Sequence, residues 1–186
     1  MLILTTPTNP GVAAWTDGAV AGIPLTYASG GQATQLANNT SIKEFTTLAL
    51  TVPANTLAAN DVLNYTFVAS AGSGAATGVQ IGFRFTNGTT TTFLSDNIPA
   101  PLNDYQNYVV KLTMTLTDAT LALQILVPYV LSESDNTVNP TTSTKYLFGP
   151  SFDPTLPVVF TPIVKFGAAS GITAYVLQPS LTVNRP

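Results

Sequence analysis

The chain has 186 residues, enough for one domain with a substantial core, and 45 % of them are hydrophobic. Charged residues make up only 8 % and the net charge is −3, so no basic cluster exists to meet nucleic acid or an anionic membrane. Cysteine and histidine are absent, which excludes disulfides, thiolate metal sites and every catalytic triad that uses histidine.

The shortage of charge is filled by threonine, serine, asparagine and glutamine. Short uncharged polar side chains lose little conformational entropy and little charge-solvation energy when another protein covers them. The composition therefore fits a surface that becomes buried against other subunits. It equally fits a secreted or thermally robust β-protein with a threonine-rich sheet face, and both interpretations stay open at this point.

The first residues carry no signal for export or membrane insertion. Residues 1–4 are apolar, but no basic region accompanies them, and no window of the chain reaches the ~18 apolar residues that a membrane helix needs. We therefore expect a protein that is made in the cytoplasm of its host and that contacts no membrane.

Residues 1–42 are rich in glycine, alanine, proline, threonine and asparagine, and we predict that they form an extended N-terminal arm. Trp15, Ile23, Leu25 and Tyr27 lie in this stretch, and a purely disordered tail would have few such anchors. We predict that the arm docks on another protein through these residues, with a short strand near its end. A floppy tail followed by one ordinary edge strand is the alternative.

From Lys43 onward apolar and polar residues alternate, which is the period of a half-buried β-strand. The predicted strands, in chain order, span 44–52, 61–69, 79–85, 90–94, 108–116, 121–129, 145–148, 158–166 and 173–183. Between the third and fourth of these, Asn87-Gly88 is the strongest short signal for a β-hairpin. Arg84 alternates with apolar residues, so we predict that it faces solvent or an interface.

Prolines interrupt three of the predicted strands. Because proline cannot donate to a sheet ladder, Pro128 and Pro162 are predicted to lie at an edge strand or a bulge, and Pro179 interrupts the last strand. Short strands joined by turns, without a helical period, indicate a sandwich or barrel. We predict an all-β fold, a jelly-roll β-sandwich of about eight antiparallel strands over residues 43–186, preceded by the extended N-terminal arm.

No constellation of residues points to catalysis or to a cofactor. Seven of the nine acidic residues are aspartates, and most lie in turns, where aspartate bonds its own backbone. The acidic stretch 132–136 lacks the glycine and the spacing of a calcium-binding loop. We therefore predict no enzyme activity, no catalytic residue, no cofactor, no bound metal and no contact with nucleic acid.

The segment Thr51-Val52-Pro53-Ala54-Asn55-Thr56-Leu57-Ala58-Ala59-Asn60-Asp61-Val62-Leu63 resembles a segment that recurs in virion proteins of tailed bacteriophages and prophages. There a strand ends in Pro-Ala-Asn-Thr-Leu, and Asn-Gly-Asp followed by an aliphatic residue opens the next strand. This chain has Asn60-Asp61 without the glycine, and the likeness extends over roughly residues 43–183. The resemblance implies a jelly-roll domain, often trimeric, on a virus particle.

We predict from these observations a virion structural protein, a trimeric capsid decoration (cement) protein that stabilises a phage head by bridging capsid subunits. Its expected partners are two further copies of itself and the major capsid protein, with Trp15, Ile23, Leu25, Tyr27 and Arg84 as the predicted interface residues. The alternatives are a receptor- or glycan-binding head of a phage fibre, and a major coat or shell-layer protein. A fibre head usually follows a long shaft, and a coat that packages nucleic acid usually carries a basic arm.

Overall fold

The computed structural model describes residues 24–36, 39–72, 78–94, 105–117, 122–134, 137–142, 146–151, 153–168 and 173–185. The strands are β1 Leu25–Ala28, β2 Gln32–Leu36, β3 Ile42–Glu44, β4 Leu50–Val52, β5 Val62–Gly72, β6 Val79–Asn87, β7 Thr89–Leu94, β8 Tyr105–Thr117, β9 Ala122–Ser134, β10 Thr137–Thr142, β11 Tyr146–Ser151, β12 Val158–Phe166 and β13 Thr173–Asn184. A single 3₁₀ turn, Thr46–Leu48, separates β3 from β4. No helix in this part of the chain is long and apolar enough to cross a membrane.

The strands form two antiparallel sheets. The larger sheet has the order β1-β13-β5-β8-β9-β10, with β2 also paired to β13 and β11 also paired to β9. The smaller sheet has the order β3-β12-β6-β7, with β4 also paired to β12. Every strand pair described is antiparallel.

The connectivity of these sheets is that of a jelly roll. When β1 and β2 count as one strand and β3 and β4 as another, the eight strands are these two together with β5, β6, β7, β8, β12 and β13. Their sheets then have the orders 1-8-3-6 and 2-7-4-5, the arrangement of two interlocked Greek keys. The predicted fold is confirmed. Strands β9 to β11 are an insertion after the sixth strand that extends the larger sheet.

Part of the predicted arm belongs to this sandwich. β1 and β2 both pair with β13 and together provide the first jelly-roll strand. Residues 1–23, with Trp15 and Ile23, lie outside the described residues, so an arm that docks on another protein, and its boundary at residue 43, stay predictions.

Aromatic side chains from both sheets fill the space between them. The Tyr65 ring, from the larger sheet, lies 5.9 Å from Phe83 and 5.4 Å from Phe160, which belong to the smaller sheet. The largest fully buried side chains are Tyr65, Tyr108, Phe45, Phe67, Phe83, Phe85, Phe160, Leu63, Ile81, Leu112, Met114 and Leu116. Except for Phe45, which precedes the 3₁₀ turn, these residues come from alternate positions of their strands, as a sandwich core requires.

Pro162 lies in an interior strand, so the prediction that it marks an edge strand is wrong. β12 pairs with β6 on one side and with β3 and β4 on the other. The Phe45 N–H donates to the Pro162 carbonyl at 3.0 Å, whereas the Phe45 carbonyl accepts the Leu48 N–H at 3.0 Å. Pro162 has no N–H to donate to the Phe45 carbonyl, so this carbonyl accepts the Leu48 N–H instead and closes the 3₁₀ turn. This turn divides the single strand predicted over 44–52.

The other two strand prolines lie at ladder irregularities, as predicted. The pairing of β9 with β8 shifts register between Lys111 and Thr113, opposite Pro128. The pairing of β13 with β5 shifts between Leu177 and Ser180, which spans Pro179. At each bulge the proline lies outside the regular ladder, so its lack of an N–H costs no inter-strand hydrogen bond.

Candidate functional site

The described outward residues of β1, β2, β13, β5 and β8 in the larger sheet carry almost no charge. Register places Thr26, Thr182, Asn64 and Thr113 side by side across four strands, and the Thr113 hydroxyl donates to Asn64 Oδ1 at 2.9 Å. These side chains are short, and cross-strand hydrogen bonds already order some of them. Covering them with another protein therefore costs little side-chain entropy.

The neighbouring row of this face joins Ala28, Ser180, Thr66 and Lys111. The Thr66 and Ser180 hydroxyls are 2.7 Å apart and share a hydrogen bond. Lys111 is exposed, and it is the single charged residue among the described outward-facing positions of β1, β2, β13, β5 and β8.

A third row on the same face is apolar. Leu177, Val68 and Val109 lie next to one another in register, and all three are half-buried. The face therefore combines an apolar band with bands of hydroxyl and amide groups. We define the outward residues of β1, β2, β13, β5 and β8 as the neutral face. It has the composition of an interface core, because its charged residues are few.

The outer face of the smaller sheet differs in charge. Arg84 on β6 forms an ion pair with Glu44 on β3, and these two strands flank β12. The ion pair therefore passes over β12 between Thr161 and Ile163, which are 8 % and 0 % exposed. Arg84 thus has a partner within its own chain. Whether it also meets another subunit stays a prediction.

Leu25 and Tyr27, which the sequence predicts as interface residues, are half-buried and pack against the core from β1. Burial raises the pKa of the Tyr27 phenol, and a hydrogen bond with Thr56 partly offsets this rise. The structure therefore gives both side chains a packing role in the sandwich, and their role in an interface stays a prediction.

The segment that resembles phage virion proteins is held by a buried carboxylate. Asp61 is 0 % exposed, and both of its oxygens accept hydrogen bonds from Arg185 at 2.9 Å. Asp61 also accepts the Ala58 N–H at 2.8 Å, and Arg185 donates to the Thr56 carbonyl at 2.9 Å. The hydrogen bonds to Asp61 raise the pKa of Arg185.

The backbone of this corner explains its two asparagines. Asn55 and Asn60 have φ values of 59° and 70°, which asparagine tolerates better than most residues. Leu57 is buried. The corner therefore contributes to the fold. Arg185 is 124 residues from Asp61, and no local signal in the sequence could have linked them.

Asn87 at the predicted hairpin is likewise structural. Its amide nitrogen donates to the carbonyls of Asp153, Leu156 and Pro157 at 3.0, 3.3 and 3.3 Å. Its amide oxygen accepts the Asp153 N–H at 2.7 Å. The β6–β7 hairpin predicted from Asn87-Gly88 is confirmed, and Gly88 has a φ of 70°.

The described part of the chain brings no three acidic residues together that could hold a metal ion. Its fully buried carboxylate, Asp61, is already neutralised by Arg185.

No family model and no curated protein matches the chain. Among solved structures, the chain is similar to the CBM2 module of the evolved Dit of Lactobacillus casei BL23 phage J-1, with 12 % identity and a TM-score of 0.41 over 74 % of this chain and 69 % of that one. It is also similar to VP2 of the infectious bursal disease virus subviral particle, with 12 % identity and a TM-score of 0.42 over 98 % of this chain and 37 % of that one. A structure of the Gx strain of the same virus gives 13 % identity and a TM-score of 0.34, over 99 % and 47 % of the two chains. Likenesses this weak carry no argument about function.

Proposed function

We propose that the protein is a non-enzymatic structural protein of a virus particle, a trimeric capsid decoration protein that stabilises a phage head by bridging capsid subunits. The observation that carries the proposal is the neutral face, which combines an apolar row with ordered hydroxyl groups and one charge, Lys111. The resemblance of residues 51–63 to phage virion proteins supports the same role.

The proposed mechanism is burial of surface at low cost. A stable interface buries more than ~1,000 Å² of accessible surface, and desolvating charged groups adds to the cost of forming it. On the neutral face that penalty applies to Lys111 alone, whereas the opposite face carries Glu44, Arg84 and Lys165. The neutral face therefore lies against other subunits of the particle, further copies of the chain among them, without contact with nucleic acid or membrane.

Particles that lack the protein test this proposal. We expect them to lose resistance to heat and to osmotic shock, and to regain it when the purified protein is added back. Particles that keep full resistance without the protein would contradict a decoration role.

A matched pair of substitutions locates the face that acts. Thr113→Lys adds a charge to the neutral face, and Thr92→Lys adds the same charge on β7 of the smaller sheet. We expect the Thr92 variant to restore particle resistance and the Thr113 variant to fail. Equal restoration by both variants would exclude the neutral face as the contact. A specific binder on a glycan array would favour a fibre head, and closed shells of the protein alone would favour a coat.

A further inference from the structure

We propose that residues 1–23 of one copy of the chain dock across the neutral face of a neighbouring copy, with Asp17 paired to Lys111. The inference deepens the proposed function and rests on it, because it names the contact that holds copies of the chain together. It follows from three observations: the charge of the face, the charge of the segment, and the point at which the segment joins the fold.

The neutral face has one basic group, Lys111. Lys111 is exposed, and the described residues give it no ion-pair partner. Around it lie hydroxyls such as Thr66 and Ser180, and beside these lies the apolar row of Val68 and Val109. A complementary ligand is therefore a mostly uncharged polypeptide with small apolar and hydroxyl side chains and one acidic group.

Residues 1–23 have this composition. They contain one charged side chain, Asp17, among alanine, glycine, threonine and aliphatic residues, with Trp15 two positions before it. An extended segment with these properties supplies an apolar anchor next to a single carboxylate. The face and the segment therefore match in both charge and polarity.

The segment is also long enough to reach this surface. It joins the fold at β1, the edge strand of the larger sheet, and Lys111 lies three strands from β1 in the row of Ala28. Three strand spacings are ~14 Å, and the three residues from Leu25 to Ala28 add ~10 Å along the strand. The eight residues from Asp17 to Leu25 span up to ~26 Å when extended, so length does not limit the contact.

The geometry at Pro24 favours a neighbouring copy over the same chain. To cover its own sheet, the segment must reverse direction immediately before β1, because the row of Lys111 lies in the direction in which β1 runs. Proline fixes its own φ near −65° and disfavours a helical conformation in the residue before it. A segment that follows this extended preference leaves its own sandwich and can reach a neighbouring copy. Three such contacts in head-to-tail order close a ring.

Charge reversals in the full-length chain test the inference by light scattering and sedimentation, without any capsid. We expect the unmodified protein to be a trimer of the 19.4 kDa chain. Asp17→Lys and Lys111→Asp each place like charges at the contact, and each is expected to raise the dissociation constant about tenfold. The double variant, Asp17→Lys with Lys111→Asp, is expected to return it to within about twofold. Lys165→Asp, on the other sheet, is the matched control and is expected to change nothing.

Mixing the two single variants separates exchange between copies from docking within one chain. In a mixed ring of three, two contacts join a lysine to an aspartate and the third keeps like charges, so association is expected to recover in part. Recovery in the double variant without recovery on mixing would overturn the contact between copies. A monomeric unmodified protein, or single variants that associate normally, would overturn it as well. The particle test above does not depend on this contact and would still decide the decoration role.

Discussion

The hydroxyl of Tyr65 is a buried polar group in the core, and removing it is expected to stabilise the fold. The side chain is 0 % exposed, and its oxygen has no hydrogen-bond partner in the described structure. Its ring lies among Phe67, Phe83 and Phe160, at centroid distances of 5.4, 5.9 and 5.4 Å. Burying an unpaired hydroxyl costs about 1–3 kcal/mol, since the group gives up its bonds to water and gains none.

Tyr65→Phe removes this cost and keeps the ring. The small gap left by the oxygen reduces the gain, so we expect the free energy of unfolding to rise by about 1 kcal/mol. For a domain of this length that gain corresponds to a rise of about 2–4 °C in Tm. Urea unfolding at one fixed protein concentration measures it as a shifted midpoint with an unchanged slope.

Tyr27→Phe is the matched control, because it deletes the same atom where that atom has a partner. The Tyr27 hydroxyl bonds Thr56, so this variant is expected to lose about 0.5–1.5 kcal/mol. A rise in the free energy of unfolding for Tyr65→Phe, together with a fall for Tyr27→Phe, would support the argument that an unpaired buried hydroxyl lowers stability. A loss of stability in Tyr65→Phe would refute it and would show that the core hydroxyl is satisfied, for example by an internal water.

Three further predictions concern other parts of the sandwich. Asn87→Asp replaces the amide that donates to three carbonyls by a carboxylate that repels them, so we expect a loss of about 2–3 kcal/mol and faster hydrogen exchange over 153–157; unchanged exchange would contradict this. Gly82→Ala places a Cβ 1.9 Å from the Phe93 carbonyl oxygen and should cost about 1–3 kcal/mol in urea unfolding, whereas Gly30→Ala meets nothing within 4 Å and should be near neutral. Burial raises the pKa of Tyr108 to about 12, so the unfolded chain loses its phenol protons first and stability should fall as pH rises from 10 towards 12; a urea midpoint that is constant from pH 9 to 11 would refute this.

Local patterns predicted the sandwich because its strands are half-buried and therefore alternate. The alternation from Tyr108 to Leu116 marks β8, and Asn87-Gly88 marks the hairpin that follows β6. A two-residue period records which side chains face the core, and it needs no knowledge of the partner strand. The jelly-roll order itself required the count of strands together with the phage resemblance.

Features that depend on distant partners could not be predicted. The interior position of Pro162 is possible because the strand beside it breaks at Phe45, more than a hundred positions earlier in the sequence. The same holds for the Asp61–Arg185 pair and for the neutral face, whose rows combine residues from β1, β13, β5 and β8. Register between distant strands is set by the completed sheet, so a single strand holds no record of it.

The position of β13 has a consequence for the way the chain acquires its structure. This strand follows every other described strand in the sequence, yet it lies between β1 and β5 in the larger sheet. β12, the strand before it, joins β3 and β4 to β6 in the same manner. During synthesis neither sheet can be completed until these two strands have left the ribosome. Until then the strand edges that pair with β12 and β13 remain unpaired. Folding should therefore be slow, as expected where most pairings join distant segments.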